Sequence, residues 1–372
     1  MNRLRQLAKI EFEKREDVSF LGRFLAILFA LIAAMLVSAA IIQFSDASPL
    51  EAFLNLLKGA FGSRRSILET LVKSTPLILT GLATVIAFRG KIWSIGQEGQ
   101  FFLGAIGGYW AYSMFQSLPA IALIPIIILF GFVIAGIGGM IAGLLKAYFN
   151  VDEIISTVMG NYIIDYFLSF LLSGIGPWRE PGSYYLQTAP ISDNAHFPLL
   201  FQNSRLHMGF LIALLGCLVV YLILNRTPFG YQLRAFGSNP KAAKFKGINI
   251  NKIFIVTMLI SGGLAGLAGT GELFGVQFRL RPDLSPGYGY TGIIVAMLAG
   301  LDPIGVLPAA ILFGALINGS AQMRIATGVP TAITYAIQAI VLLFLLSAQV
   351  LSRYRIRRLE HVDHAVASNN NH

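Results

Sequence analysis

Long apolar segments recur along the whole chain, and they restrict what it can fold into more than any motif does. A bilayer core takes about 20 apolar residues per helix. Ten stretches of that kind can be read, approximately 22–43, 66–88, 99–116, 119–146, 155–174, 208–225, 253–275, 287–301, 304–321 and 330–350. The eighth and ninth are short and flanked by Gly and Pro. The fold class this implies is an all-α polytopic membrane protein of about ten transmembrane helices. Only 12% of the 372 residues are charged, against about 25% in soluble domains. The first apolar run exceeds a secretory core of about 7–15 residues, so it reads as an uncleaved span.

The net charge of +10 does not indicate a nucleic-acid partner, because the basic residues sit in short segments flanking apolar runs. Such clusters mark cytoplasmic loops. They occupy the N-terminus 1–23, the loop 225–252 and the segment after the last span, with Arg353, Arg355, Arg357 and Arg358. Ten spans put all three on one side and make both termini cytoplasmic. Arg64, Arg65, Arg279, Arg281 and Arg324 then fall outside. The membrane domain is 24–350, with an external loop 175–207 and a polar tail 351–372, its last part expected to be disordered. The loop's Trp178, Tyr184 and Tyr185 suit interface anchors or a docking surface. Segment 48–62 is amphipathic and is expected to lie along the outer interface.

Pairs of glycines at helical spacing, Gly104/Gly108, Gly139/Gly143, Gly262/Gly266 and Gly271/Gly275, let membrane helices approach closely. Cys217 lies alone in an apolar run, which excludes a disulfide framework and a thiolate metal site. No phosphate-binding Gly-Lys-Ser/Thr loop occurs, so the chain does not itself hydrolyse ATP.

Three polar features exceed what packing needs. The segment Ser94-Ile95-Gly96-Gln97-Glu98-Gly99-Gln100-Phe101 sets an acid and two carboxamides between apolar segments. An unpaired charge there costs roughly 2.5–3.5 kcal/mol. It reads either as a broken helix lining a polar path or as a helix start with Ser94 as N-cap and Gln97 completing a capping box. The second feature is Asn239-Pro240, an N-cap and first helical position, with Gly247 as the stop. The two turns between them are expected to rest against a soluble partner; the alternative is a solvated loop whose basic residues are drawn to anionic lipid. The third is a set of intramembrane acids. Glu69 and Lys73, four apart, are expected to pair; Asp165, one turn beyond Asn161, and Glu272 are site candidates, with a buried, hydrogen-bonded helix–helix tie as the equal alternative for Glu272. No dense acid/His chain suits a proton relay, and no Ser/His, paired-Asp or His-Glu motif suits an intramembrane enzyme.

Together these residues resemble a known family. Ile95-Gly96-Gln97-Glu98-Gly99-Gln100 is similar to the IG-x-EGQ signature of bacterial ABC importer permeases related to the ribose and branched-chain amino-acid permeases, the nucleoside-uptake branch most of all. Glu153 to Met159 with Asn161-Tyr162-Ile163 resembles the E-x-I-x-T-x-M-x-NYI stretch of that branch. Leu233-Arg234-Ala235 through Gly247-Ile248 resembles its coupling loop, and Leu284 to Ile293 the segment opening the eighth span. Trp93-Ser94 departs from the family's usual Phe-Asn, and Asp165 is unusual for its span.

The resemblance implies a permease subunit of an ATP-driven importer in the inner or plasma membrane, for nucleosides or, alternatively, a ribose-like sugar. An ion-coupled secondary transporter is the competing class. It implies no cofactor on this chain, with ATP and Mg on a partner ATPase. It also implies a second permease subunit and an external binding protein or lipoprotein. Gln97, Glu98, Gln100, Asn161, Asp165 and Glu272 would lie on the substrate path. Asn239, Lys241, Ala242, Ala243, Phe245 and Gly247 would couple to the ATPase.

Overall fold

A computed structural model describes residues 10–14, 20–44 and 47–358. The polar tail from 359 on, expected to be disordered, lies outside them. Helix is the dominant state, as apolar segments of this length require. Two five-residue strands, β1 (Ile10–Lys14) and β2 (Tyr354–Arg358), pair antiparallel. With the helices α1 (Phe20–Gln43) up to Ile41 and α13 (Thr331–Arg353) from Tyr335, they make up one compact unit within 1–41 and 335–372.

Residues 42–334 form the other unit. Its long helices are α3 (Arg64–Arg89), α4 (Gln97–Phe115), α5 (Ala120–Phe149), α6 (Glu153–Leu171), α7 (Gly209–Arg226), α10 (Ile250–Glu272) and α12 (Pro303–Thr327). Shorter ones are α2 (Pro49–Phe61), α8 (Pro228–Ser238), α9 (Pro240–Phe245) and α11 (Tyr288–Leu298). Many starts are written locally. The Asp152 carboxylate accepts the Ile154 amide at 2.8 Å, Asn249 that of Lys252 at 3.0 Å, and Asp302 that of Gly305 at 2.9 Å, each satisfying a free first-turn donor.

Each of the ten expected segments is helical. Seven helices among the described residues are long and apolar enough to cross a membrane by themselves, so the count of ten is not reached on that measure. The apolar part of α1 covers Leu28–Gln43, and α11 has only 11 residues. In α4 the polar run Gln97–Gln100 occupies the first turn.

α3 and α10 are central: 89% and 72% of their apolar windows are buried, against 22% for α6 and 33% for α5 and α7. The outward faces of α5, α6 and α7 expose Leu129, Ile137, Ile163 and Leu215, an apolar surface that suits lipid. α4, α5 and α10 pack through their glycines. A side chain at Gly104 would meet the Gly266 backbone, and one at Gly262 would meet the carbonyl of Ala135. Gly271/Gly275 differs from the expectation: Gly275 receives the buried ring of His207, not a helix. Cys217 is buried, and its thiol donates to the Pro303 carbonyl at 3.1 Å.

The two ends of this unit are distinct. Arg64, at the start of α3, lies 5.8 Å from the Phe201 ring centroid in the loop 175–207. At the other end of α3, Gly237 of α8 abuts the Arg89 carbonyl. These are called below the long-loop end and the short-helix end. Backbone bonds hold the loop to the turn after α10: Thr188 donates to Leu280 (3.1 Å), Ile191 to Phe278 (2.9 Å) and Phe197 to Phe274 (2.9 Å).

Candidate functional site: two helix starts that meet inside the bundle

α11 begins well inside the bundle. Its first carbonyl, Tyr288, accepts the Thr80 hydroxyl at 3.1 Å. Thr80 lies sixteen residues after the start of α3 and nine before its end, about 24 and 13 Å at ~1.5 Å per residue. The far side of α11 reaches the short-helix end, where Arg89 Nε donates to the Leu301 carbonyl at 2.8 Å. The short eighth span is therefore a half-length helix, approached from the long-loop end by the non-helical stretch 278–287.

A helix start leaves its first amides without intrahelical partners, and inside a bundle that is costly. Here they are answered from outside the helix. The Gly287 and Tyr288 amides donate to Ser285 Oγ (3.1 and 2.9 Å), and the Gly289 amide donates to Glu98 Oε2 at 2.6 Å. The Tyr290 amide and the Ser285 hydroxyl also face the Glu98 carboxylate. Glu98 thus serves as a remote cap for α11, where the helix dipole favours negative charge.

α4 is capped in the same manner by α6. The Gly99 amide donates to Asn161 Oδ1 at 2.9 Å, while Asn161 Nδ2 donates to the Ile95 carbonyl at 2.8 Å and to the Tyr290 hydroxyl at 3.3 Å. Thr157, one turn earlier, accepts the Ile95 amide at 3.1 Å. The contacts close a ring: α6 caps α4, α4 caps α11, and Tyr290 of α11 returns to α6. Gly99 and Gly289 make this approach possible, since a side chain at either would collide with the Asn161 or Glu98 backbone. The expected local cap does not form. Gly96 is the N-cap, and Ser94 Oγ reaches only the Gly96 amide, at 3.5 Å.

Gln97 and Gln100 project from the same first turn. Gln97 is fully buried, and among the described residues neither amide atom has a hydrogen-bond partner; Gln100 is 4% exposed, with Oε1 unpartnered among the same residues. Asp165 is half-buried on α6 and makes no salt bridge or side-chain hydrogen bond among the described residues. Glu272 belongs to a different cluster. Gln277 Nε2 donates to it at 3.1 Å, and Lys73, Arg205 and Glu69 are its charged neighbours. The expected Glu69–Lys73 pair is absent. Glu69 pairs with Arg205 from the long loop, and Lys73 Nζ points to the Tyr288 hydroxyl at 3.5 Å. Helical spacing permits the first pairing, but a guanidinium fork matches a carboxylate better.

At the short-helix end α9 follows its sequence signals. Asn239 Oδ1 accepts the Ala242 amide at 3.1 Å, Pro240 is the first helical residue, and Gly247 has φ +79°. Lys241, Ala242 and Phe245 are exposed, Phe245 to 95%, whereas Ala243 is buried and anchors the helix. The preceding α8 went unread in the sequence. Its signal was present in Thr227-Pro228, where Thr227 Oγ1 accepts the Gly230 amide at 3.2 Å. Thr157 and Tyr290 were missed too, because their partners are distant in sequence.

Comparison with known proteins follows the same residues. The family model described as "Branched-chain amino acid transport system / permease component" matches residues 66–346. The guanosine ABC transporter permease protein NupP of Bacillus subtilis is 34% identical over 341 residues, covering 91% of this chain and 96% of the relative. The nucleoside ABC transporter permease protein NupB of Lactococcus lactis subsp. cremoris is 33% identical over 86% of this chain and 89% of its own. The glucose ABC transporter permease protein TsgB13 of Haloferax volcanii is 31% identical over 87% of each.

Proposed function

The chain belongs to the branched-chain amino acid transport permease family, and on that premise we propose that it is the membrane permease of an ATP-driven nucleoside importer. Two of the relatives above carry guanosine or nucleosides in their names. Glucose, named for the third, is the second reading of the substrate.

The observation that carries the site is the Gln97 side chain. A buried amide with no partner costs about 1–3 kcal/mol for each group left unpaired. Such a group finds its partner in an ordered water, a passing ligand or a second conformation, and at the junction of two helix starts we assign that partner to the ligand. A carboxamide offers a donor and an acceptor side by side, which match the base edge of a nucleoside. Gln97 and Gln100 are therefore the residues that meet substrate. Glu98 and Asn161 hold the two helix starts on which these glutamines stand. Asp165 lines the α6 face turned to the path and to a second permease subunit. Glu272 serves a separate polar station toward the long-loop end.

The short-helix end is cytoplasmic in this reading. α9 presents Lys241, Ala242 and Phe245 to the ATPase, which holds ATP and Mg, while Asn239, Ala243 and Gly247 fix its shape. The external binding protein meets the 175–207 loop. Ten crossings, with 278–287 and α11 together making one, leave both termini cytoplasmic.

The test is ATP-driven uptake by the complex with its ATPase and binding protein. Gln97→Leu is expected to cut nucleoside uptake more than tenfold while raising stability by about 1 kcal/mol, because an unpaired amide is replaced by an apolar group of similar volume. Unchanged uptake would remove Gln97 from the path. Replacing 238–247 by a Gly/Ser linker is expected to release the ATPase; full uptake after that change would sink the coupling assignment. Uptake of glucose in preference to guanosine would select the second reading.

A further inference from the structure

The arginines that contradict the positive-inside pattern have a structural context. At the long-loop end, α2, the start of α3, the long loop and the last turns of α12 line a half-open cavity of about 410 Å³. Against ~30 Å³ per water, that is room for a headgroup rather than a bare ion. Ser63, Arg65, Ser66, Glu69, Arg205 and Gln322 line it. Glu69 is paired with Arg205. Arg65 is exposed and has no salt bridge or side-chain hydrogen bond among the described residues. Arg64, its neighbour in sequence, and Lys58, in the last turn of α2, are exposed as well. The surroundings of the cavity are thus net positive, which suits an anion and gives a neutral nucleoside no advantage.

The rim is apolar. α2 turns Ala52, Leu56, Gly59 and Ala60 inward and exposes Leu50, Leu54, Leu57 and Phe61. That spacing of four, three and four is a continuous stripe along one face. Ile67 is 45% exposed and Ile325, in the cavity wall, 75%. An amphipathic helix with such a stripe lies at the headgroup/acyl boundary. A basic pocket opening beside acyl-depth side chains has the chemistry of a phospholipid, phosphate inward and chains along α2.

We propose that this cavity binds the phosphate-bearing headgroup of an anionic membrane lipid, with Arg65 as the principal phosphate contact and Arg205 shared between Glu69 and the lipid. The site is independent of the glutamine pair and would stand if the substrate assignment failed.

The experiment is native mass spectrometry of the full chain in mild detergent, titrated with phosphatidylglycerol and with a neutral diglycosyl diacylglycerol. One retained phosphatidylglycerol is expected, and no retained glycolipid. Arg65→Gln should weaken retention about fivefold, the factor for one arginine near a charged surface. Glu69→Gln should strengthen it by a similar factor, because Arg205 loses its competing partner. An effect in that direction does not follow from a merely structural role. Equal retention of the two lipids, or no response to either substitution, would overturn the proposal. So would displacement of the lipid by millimolar inorganic phosphate, which would mark a free-anion site, or by guanosine, which would mark a substrate site.

Discussion

The helices α9 and α11 are both short, and they start in opposite ways. α9 carries its own instructions: Asn239 caps it, Pro240 opens it and Gly247 stops it. α11 begins at Gly287, which has no side chain to cap with; Ser285 takes only the Gly287 and Tyr288 amides, and the Gly289 amide is answered by Glu98, 191 residues away in sequence. A locally capped helix keeps its shape when its surroundings move, which suits a lever gripped by another protein. A remotely capped helix is tied to the element that caps it. α4 and α11 are held together at their first turns, so a shift of one is transmitted to the other.

Cutting each cap separates the two cases, and the largest effect is expected at Glu98. Glu98→Ala strips the carboxylate acceptor from the Gly289 amide and leaves the Ser285 hydroxyl and Tyr290 amide without the carboxylate they face. The expected cost is about 3 kcal/mol, read as a lower thermal midpoint of the detergent-solubilised complex. Glu98→Gln keeps an acceptor and should lose less than half of that. Asn239→Ala should cost about 1 kcal/mol within α9, reducing ATPase activity coupled to substrate while the midpoint stays in place. Equal midpoint losses for Glu98→Ala and Asn239→Ala would erase the distinction between remote and local capping.

A smaller effect tests whether the ring is closed. Tyr290 returns to α6 through one contact, the 3.3 Å bond from Asn161 Nδ2. Tyr290→Phe is expected to cost about 1 kcal/mol and Asn161→Ala about 2. The double variant should fall short of their sum by at least 0.5 kcal/mol, the range for residues sharing one network. Strict additivity would show that Tyr290 stands outside the ring.

The same contrast explains what could be read from the sequence. The apolar segments, α9 and amphipathic α2 were legible because their causes are local: run length, cap residues and stripe spacing. Helix α8 was equally local and was overlooked, since Thr227-Pro228 follows the rule that exposed α9. Other features depend on partners from far along the chain. Ser94 has a good N-cap side chain, yet Asn161 and Thr157 take hold of the segment and Gly96 becomes the cap. Glu69 and Lys73 have pairing geometry, but Arg205 enters from the long loop. The candidate site was half legible. Its residue types flagged 94–101 and Asn161 as meeting something polar, but not that Glu98 answers a helix start while Gln97 answers nothing among the described residues. The half length of α11 was visible as a short span; its depth followed only from Thr80 and Arg89.

The weakest tie on this scale is a part-exposed one in the long loop. Glu180 in the long loop accepts from Arg279 Nη1 at 2.5 Å and from Gln187 Nε2 at 2.9 Å. The Arg279 guanidinium first, then the Gln187 amide, holds its carboxyl below the usual carboxylate range. A folded value below the unfolded one means the pair's contribution is present above the unfolded pKa, about 4.3. It is lost only as pH falls through the folded value. Exchange of the Glu180 and Thr188 amides, which donate to Gln187 and Leu280, should therefore be flat from pH 8 to 5 after correction for intrinsic rates, and should rise only in acid. Arg279→Gln should move that rise to higher pH and change neutral-pH exchange little, because ion pairs near the surface are screened by solvent and contribute little. If the acid rise stays where it was in Arg279→Gln, the backbone bonds to 274–280 alone hold the loop and the ion pair is incidental.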